Sequence, residues 1–172
     1  MIDLETIATT PNATILTIGA QGFDPFSDCF SDVTFYKRIL VDSQPTRHVD
    51  DDTLAWWGRQ SAEAQHEAFG DGPDRVDIKE ALEELSKIAF RHTRIWANGV
   101  MFDIGILEDA MKEYGVNVPW KFWQIMDART VFKLVPSLGS AGSTNSHNAL
   151  EDCVNQIDML QRAFKKLGIP SL

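Results

Sequence analysis

The chain has 172 residues, 44% of them hydrophobic, which is enough for one domain with a buried core. Its formal net charge of −9 argues against a protein that coats long nucleic acid, because that mode of binding requires a dominant basic surface. The sequence contains neither an apolar stretch long enough to span a bilayer nor a secretory signal pattern, which predicts an intracellular protein with reduced cysteines at Cys29 and Cys153.

The N-terminal part of the chain predicts three β-strands in a meander. Met1–Thr6 is too short for a helix, and Ala13–Phe23 and Val33–Leu40 are apolar runs separated by the turn residues Asp24 and Pro25. Runs that follow one another across short turns pair in antiparallel fashion, so we expect an antiparallel meander at the start of the fold.

The first strand carries two acidic residues, Asp3 and Glu5. Side chains in a strand alternate between its faces, so these two carboxylates share one face, as a common cation requires. Only Met1 and Ile2 precede Asp3, and we therefore expect a short first strand that lowers stability without loss of the carboxylate pair.

The middle of the chain predicts helices around one more strand. The predicted elements are the helices Thr53–Gln60, Ser61–Phe69 and Asp77–Phe90, the buried strand Thr93–Ala97, and the helix Phe102–Tyr114, which ends at Gly115. The last two place Asp103 near a helix N-terminus, just beyond the end of a strand.

The C-terminal part predicts a short element at Trp120–Met126, a helix from Ala128 to Leu134, a loop over Ser137–Ser146 and a final helix from about Asn148 to Leu167. The predicted apolar face of the final helix consists of Leu150, Val154, Ile157, Gln161 and Phe164. Asp152 falls outside this stripe and can point into a site, whereas His147 belongs to the preceding loop or the first turn.

Five of these residues suggest a chemistry when they are taken together: Asp3, Glu5, Asp103, His147 and Asp152. Four carboxylates suit two hard cations that act on a phosphodiester. A histidine, with an unperturbed pKa near 6.5, can accept a proton from the attacking water at neutral pH. We interpret the chain as a 3'-5' exonuclease.

Simpler interpretations apply to each residue alone, since single acidic residues are mostly solvated surface groups or interact with a helix dipole. Glu151 is an alternative to Asp152, because it lies four residues after His147 and would share its face in a continuous helix. The tryptophans Trp56, Trp57, Trp120 and Trp123 could stack on bases, but such residues are more often core or interface anchors.

Three motifs in order carry a family resemblance: Asp3-x-Glu5, Asn98-x-x-x-Phe102-Asp103 and His147-x-x-x-x-Asp152. They resemble the exonuclease motifs of the DEDDh branch of the DnaQ-like exonucleases. Further segments are similar to the subgroup that contains the phage DexA exonuclease and the mycobacterial ribonuclease-T-like exoribonuclease: Asp3-Leu-Glu-Thr6, Ile18-Gly-Ala20, Thr53-x-x-Trp56-Trp57, Pro119-Trp-Lys-Phe-Trp123 and Asp127-x-Arg129-Thr130.

The resemblance implies a single domain over residues 1–172, with a ribonuclease-H-like α/β fold in which a mixed central sheet is flanked by helices. It makes Asp3, Glu5, Asp103 and Asp152 ligands of two Mg²⁺ or Mn²⁺ ions and favours Asp152 over Glu151. It further implies that His147 is the general base and that Thr6, Asn98 and Phe102 lie on the substrate side, with Asn98 orienting the backbone around Asp103.

The implied substrates are single-stranded 3' ends, the implied products are nucleoside 5'-monophosphates, and the implied location is the cytoplasm of a bacterium or of a phage-infected cell. The tryptophans and the resemblance favour a homodimer. RNA and DNA both remain open as substrates, since no residue type identifies a contact to the 2'-hydroxyl. The alternative function is a catalytically weak module of the same fold that binds nucleic-acid ends; a two-carboxylate sugar hydrolase would leave Asp103 and the His147 motif without a role.

Overall fold

The computed structural model describes residues 1–139 and 147–171 of the chain. Its helices and strands are, in chain order, β1 (Ile2–Thr6), β2 (Ile15–Phe23), β3 (Phe30–Ile39), α1 (Asp51–Trp57), α2 (Ala62–Phe69), β4 (Arg75–Val76), α3 (Ile78–Ala89), β5 (Ile95–Ala97), α4 (Val100–Glu113), β6 (Ile125–Asp127), α5 (Ala128–Leu134) and α6 (Ala149–Leu167). Within these described ranges, no helix combines the length and apolar character that crossing a membrane would require.

A six-stranded sheet in the order β4-β3-β2-β1-β5-β6 forms the centre of the fold. β1, β2 and β3 are antiparallel neighbours, and β4, β5 and β6 each join the sheet through parallel pairing. The predicted α/β class is therefore confirmed, with an antiparallel meander inside a mixed sheet. Because β1, β5 and β6 run in the same direction, the residues that follow them meet at one edge of the sheet.

The first strand pairs along its whole length, although only Met1 and Ile2 precede Asp3. All five residues of β1 pair with β2, and Ile2 also lies opposite Ala97 of β5. Met1 is buried at the start of the strand, where its amino group donates to the carbonyl oxygen of Gln21 at 2.9 Å. The sheet thus holds the acidic strand from both sides.

Helices cover both faces of the sheet. α3 and α4 pack on one face around Ile18, Leu82 and Leu107, while α5 and α6 pack on the other around Trp96 and Ile157. A smaller cluster, formed by Ile7, Leu16, Trp57, Ala64 and Ala68, anchors α1 and α2. The sequence predicted these helices to within a few residues at each end.

The predicted apolar face of the last helix is wrong in part. Val154 is 37% exposed and Leu150 is only partly buried, whereas Ala149 and Cys153 are fully buried. The physical reason is that α6 turns its small residues toward β2, which lets the helix approach the sheet closely. This rotation brings Asp152 to the buried side of the helix.

Two further differences concern short segments. The two-residue strand Arg75–Val76 was not predicted, because it is too short to show a periodic pattern. In the predicted loop Ser137–Ser146, the first residues belong to a 3₁₀ turn at Pro136–Leu138, and residues 140–146 lie outside the described ranges.

One buried cation ties the segment after β3 to α4. The Arg47 side chain has no exposed surface, and its guanidinium lies 3.1 Å from a carboxylate oxygen of Asp109 and 2.9 Å from one of Glu113. It also donates to the carbonyl oxygens of Pro11 and Ala13 at 3.0 and 2.7 Å. Removing the side chain would leave several buried acceptors without donors, which is costly.

We therefore expect Arg47→Met to lower the free energy of unfolding by about 3 kcal/mol, as measured by urea denaturation. Arg162→Met is the matched control, because Arg162 forms an exposed pair with Asp158 within one helix and its loss should cost at most about 0.5 kcal/mol. Equal effects of the two substitutions would contradict the role assigned to Arg47.

Candidate active site

The first two acidic residues project from the same face of β1. Ile2 and Leu4 point into the hydrophobic cluster with α3 and α4, so Asp3 and Glu5 point to the opposite face, where α6 packs. This agrees with the spacing of two residues in the sequence.

Asp103 joins this pair from the start of α4. Gly99, with a φ of 113°, makes the turn between β5 and α4, and Asp103 then lies in the first turn of the helix, only 3% exposed. Its Oδ1 accepts a hydrogen bond of 3.1 Å from the backbone N–H of Leu4, the residue between Asp3 and Glu5. One backbone contact therefore fixes the third carboxylate beside the first two.

Asp152 reaches the group because α6 lies directly on the sheet at Gly19. Gly19 is the register partner of Asp3, and a Cβ atom on Gly19 would stand only 2.5 Å from the backbone nitrogen of Leu150. Cys153 also contacts this position through its Sγ, 3.5 Å from the Gly19 carbonyl oxygen. A larger residue at 19 would hold the first turn of α6, and Asp152 with it, away from Asp3.

Gln156 is a site residue that sequence reasoning missed. Its Nε2 donates to Oδ1 of Asp3 at 2.8 Å, one helical turn after Asp152. Its Oε1 is buried and accepts no hydrogen bond within the described part of the chain. The available sequence signal was the spacing of four residues from Asp152, which puts both side chains on the same side of α6.

His147 stands just before α6, on the N-terminal side of the capping residue Asn148. Its backbone has a φ of 43°, and its imidazole ring packs edge-on against Trp56 and Trp57, with centroid separations of 5.0 and 5.8 Å. A ring nitrogen of His147 and carboxylate oxygens of Glu5 and Asp152 all lie within 4.8 Å of one another. The structure thus brings His147 and Asp152 together although they do not share a helix.

A second missed residue, Gln60, orients the imidazole. Nε2 of His147 lies 3.1 Å from Oε1 of Gln60, while Nε2 of Gln60 donates to the carbonyl oxygen of Trp56 at 3.0 Å. Because the Trp56 carbonyl takes the amide N–H, the Gln60 oxygen faces the imidazole and accepts from its Nε2–H. Nδ1 of His147 is then the nitrogen that can accept a proton.

Burial and mutual repulsion favour protonation of the carboxylates. Burial, together with the charges of Asp3, Asp152 and Asp103, raises the pKa of Glu5 to about 9. Burial likewise raises the pKa of Asp3 to about 7, against the hydrogen bond from Gln156, and raises the pKa of Asp103 well above its usual range. Carboxylates in this condition need either protons or a cation.

The donor set fits hard divalent cations. Carboxylate oxygens are the ligands such ions prefer, a cation would relieve the repulsion just described, and the free Oε1 of Gln156 is a buried acceptor for a hydrating water. Glu151, the rival of Asp152, is exposed and is absent from the group that Glu5, His147 and Asp152 form.

A cleft of about 750 Å³ opens beside these residues. Its walls include Glu5, Thr6 and Phe102 together with Trp56, which is 38% exposed. A more enclosed apolar cavity of about 360 Å³, near Phe23 and Trp96, contains none of the five predicted residues. The cleft therefore gives a substrate access to Glu5.

The three residues predicted on the substrate side differ in their surroundings. The Thr6 hydroxyl is buried and donates to the Ala8 carbonyl oxygen at 2.7 Å, and Phe102 is partly buried in the cleft wall. The backbone carbonyl oxygen of Asn98 accepts a hydrogen bond of 2.7 Å from Arg129. Their contacts with substrate stay predictions.

The tryptophans divide between core and surface. Trp57 and Trp120 are buried, and their indole N–H groups donate to the Thr6 carbonyl oxygen and to Glu108. Trp56 and Trp123 are the exposed members of the four considered, at 38% and 63%. The homodimer expected from the sequence stays a prediction.

A family model described as the 3'-5' exoribonuclease Rv2179c-like domain matches residues 1–164 of the chain. The match covers every element from β1 to nearly the end of α6, including all five residues of the candidate site. No curated protein matches the chain.

Raised carboxylate pKa values make stability depend on pH. The folded state binds more protons than the unfolded state between about pH 4 and the folded values of about 7 and 9, so stability in EDTA should fall as pH rises through this window. We expect Glu5→Gln to make the fall in melting temperature between pH 5 and pH 9 shallower than in the wild type. A fall of the same size in both proteins would contradict the assigned pKa of Glu5.

Gly19→Ala should lower the free energy of unfolding by about 1 to 3 kcal/mol, because backbone atoms of α6 must move to admit the new methyl group. Gly105→Ala is the control: nothing lies within 4 Å of a Cβ there, and alanine in the α4 interior should stabilise by about 0.5 to 1 kcal/mol. Urea denaturation of both variants measures the difference, and a neutral Gly19→Ala would disprove the close contact.

Proposed function

The chain belongs to the family of 3'-5' exoribonuclease Rv2179c-like domains, and we propose that it removes nucleoside 5'-monophosphates from the 3' end of single-stranded RNA at the site beside β1. The observation that carries this proposal is the convergence of Glu5, His147 and Asp152 with the adjoining Asp3 and Asp103. We assign the site to the DEDDh type on this arrangement.

Asp3, Glu5, Asp103 and Asp152 would hold two Mg²⁺ or Mn²⁺ ions. Bound there, the cations would supply Lewis-acid stabilisation of the negative charge that develops on the attacking and leaving oxygens. The contribution of the chain is to keep the four carboxylates together. The Leu4 N–H orients Asp103 and the Gln156 amide orients Asp3, so neither carboxylate has to be ordered when the cations bind.

His147 acts as the general base in this proposal. Water attacks the last phosphodiester, its oxygen forms a bond to phosphorus, and the bond from phosphorus to the 3'-oxygen of the preceding nucleotide breaks. That 3'-oxygen takes a proton from solvent and becomes the new 3'-hydroxyl. The proton of the water passes to Nδ1 of His147, because Gln60 accepts the hydrogen bond from the protonated Nε2. Trp56 and Trp57 pack edge-on against the ring and restrict its rotation.

The substrate strand ends in the cleft, with Thr6, Asn98 and Phe102 on its side of the carboxylates. The exposed face of Trp56 offers a surface on which a base can stack without regard to sequence. The paired first strand gives no support to the alternative of a catalytically weak binding module, because β1 holds both of its acidic residues within the sheet.

The test uses 5'-labelled single-stranded RNA and DNA of matched sequence, with Mg²⁺, Mn²⁺ or EDTA. We expect a metal-dependent ladder that shortens from the 3' end of the RNA, and a loss of about 10²- to 10⁴-fold in kcat for His147→Ala. Asp152→Asn should abolish turnover, whereas Glu151→Gln is the matched control and should retain it.

Three outcomes would overturn parts of this proposal. Binding of RNA ends without hydrolysis under any metal would favour the weak binding module. Faster digestion of DNA than of RNA would exclude RNA as the preferred substrate. Inactivation by Glu151→Gln, with activity retained in Asp152→Asn, would reverse the assignment of the fourth carboxylate.

A further inference from the structure

The cleft beside the candidate site is poor in positive charge. Its described lining contains three carboxylates, those of Glu5, Asp50 and Asp52, and a single guanidinium, that of Arg59. Arg59 is exposed, and its side chain makes no ion pair with any described residue. A nucleic-acid strand that lies in this cleft can contact Arg59 and His48 as its basic residues.

One other guanidinium stands at the edge of the site. Arg129 is exposed in the first turn of α5, where it donates to the carbonyl oxygen of Asn98. Burial raises the pKa of the nearby Asp103, and the positive charge of Arg129 offsets only part of that rise. No acidic partner lies within ion-pair distance of Arg129 among the described residues. Apart from the one that donates to Asn98, the N–H groups of Arg129 are therefore available for a phosphate.

The other 14 lysines and arginines are committed elsewhere or lie away from the site. Arg75 donates to the carbonyl oxygens of Ile39, Ala68 and Gly70, and Lys79 lies in the first turn of α3, which follows β4, the end strand of the sheet, three strands from β1. Five others pair with carboxylates: Lys37, Arg38, Arg47, Arg162 and Lys165. Others occupy the last turns of helices, where they interact favourably with the dipole: Lys87, Lys112, Lys133 and Lys166. Because α4 and α6 begin at the site, their C-terminal lysines lie at the ends remote from it.

A third group of basic residues precedes the parallel strands. Arg91 and Arg94 come before β5, and Lys121 comes before β6, so they lie at the edge of the sheet opposite the carboxylates. Residues 140–146, of sequence Ser-Ala-Gly-Ser-Thr-Asn-Ser, contain no basic residue. The net charge of −9 adds a general repulsion of phosphates beyond the site.

We propose that Arg59 and Arg129 make all the cationic side-chain contacts to the substrate backbone, so that the enzyme degrades oligoribonucleotides of a few residues as efficiently as long strands. This inference rests on the proposed exonuclease function. Each phosphate beyond these two contacts gains no partner and meets a surface of like charge. Recognition is then limited to the 3'-terminal residues, and long RNA offers no advantage in affinity.

The experiment measures kcat/KM on single-stranded oligoribonucleotides of increasing length, from a trimer to a 24-mer, at several KCl concentrations. We expect the trimer and the 24-mer to agree within about threefold, and the slope of log(kcat/KM) against log[KCl] to be about −1.4, as two phosphate contacts require. Arg59→Gln and Arg129→Gln should each lower kcat/KM by about tenfold on both lengths.

Arg91→Gln is the matched control, because Arg91 is exposed at the opposite edge of the sheet. This substitution should change neither kcat/KM nor its dependence on the KCl concentration. A 24-mer preferred by more than tenfold, with a slope near −4 or steeper, would overturn the inference by revealing an extended phosphate track. Absence of hydrolysis at every length would instead overturn the proposed function, and this inference with it.

Discussion

The rest of this structure depends on one electrostatic constraint: four carboxylates are held together in a largely buried site. Burial and mutual repulsion together raise the pKa values of Asp3, Glu5 and Asp103. Neutral residues in these positions would not carry this electrostatic cost, so the surrounding fold has to stabilise the carboxylates. It does so with the backbone N–H of Leu4, the amide of Gln156 and, in the proposed function, bound cations.

The constraint also explains why the sheet is covered so tightly at this point. Gly19 lies opposite Asp3 in the neighbouring strand, and its lack of a side chain lets α6 rest on the sheet through Ala149 and Cys153. The small residues of α6 serve this approach, which is the reason that Val154 is turned to solvent. The close packing of α6 on the sheet therefore also places Asp152 in the site.

The sequence permits prediction of those parts of the site that follow from local periodicity. Asp3 and Glu5 share a face because strand side chains alternate, and Asp103 lies at a helix start because Gly99 interrupts the chain after a strand. Gln60 and Gln156 escaped prediction because their roles come from contacts between distant elements, such as the hydrogen bond from Gln156 to Asp3. The strand β4 escaped because two residues show no period.

Two separate parts of the fold position the residues of the site. The sheet and the first turns of α4 and α6 hold the carboxylates, whereas α1 and the residues after it hold the imidazole through Trp56, Trp57 and Gln60. The cleft is lined by residues of α1 and by Glu5, so a strand that enters it contacts both the support of the proposed base and one of the carboxylates. An acidic protein can bind phosphate in this way only at short range, since attraction comes from the site itself and not from its surface. Under the proposed function, the separation of the basic helix ends from the acidic edge of the sheet leads us to expect recognition of the end of an RNA strand and not of its length.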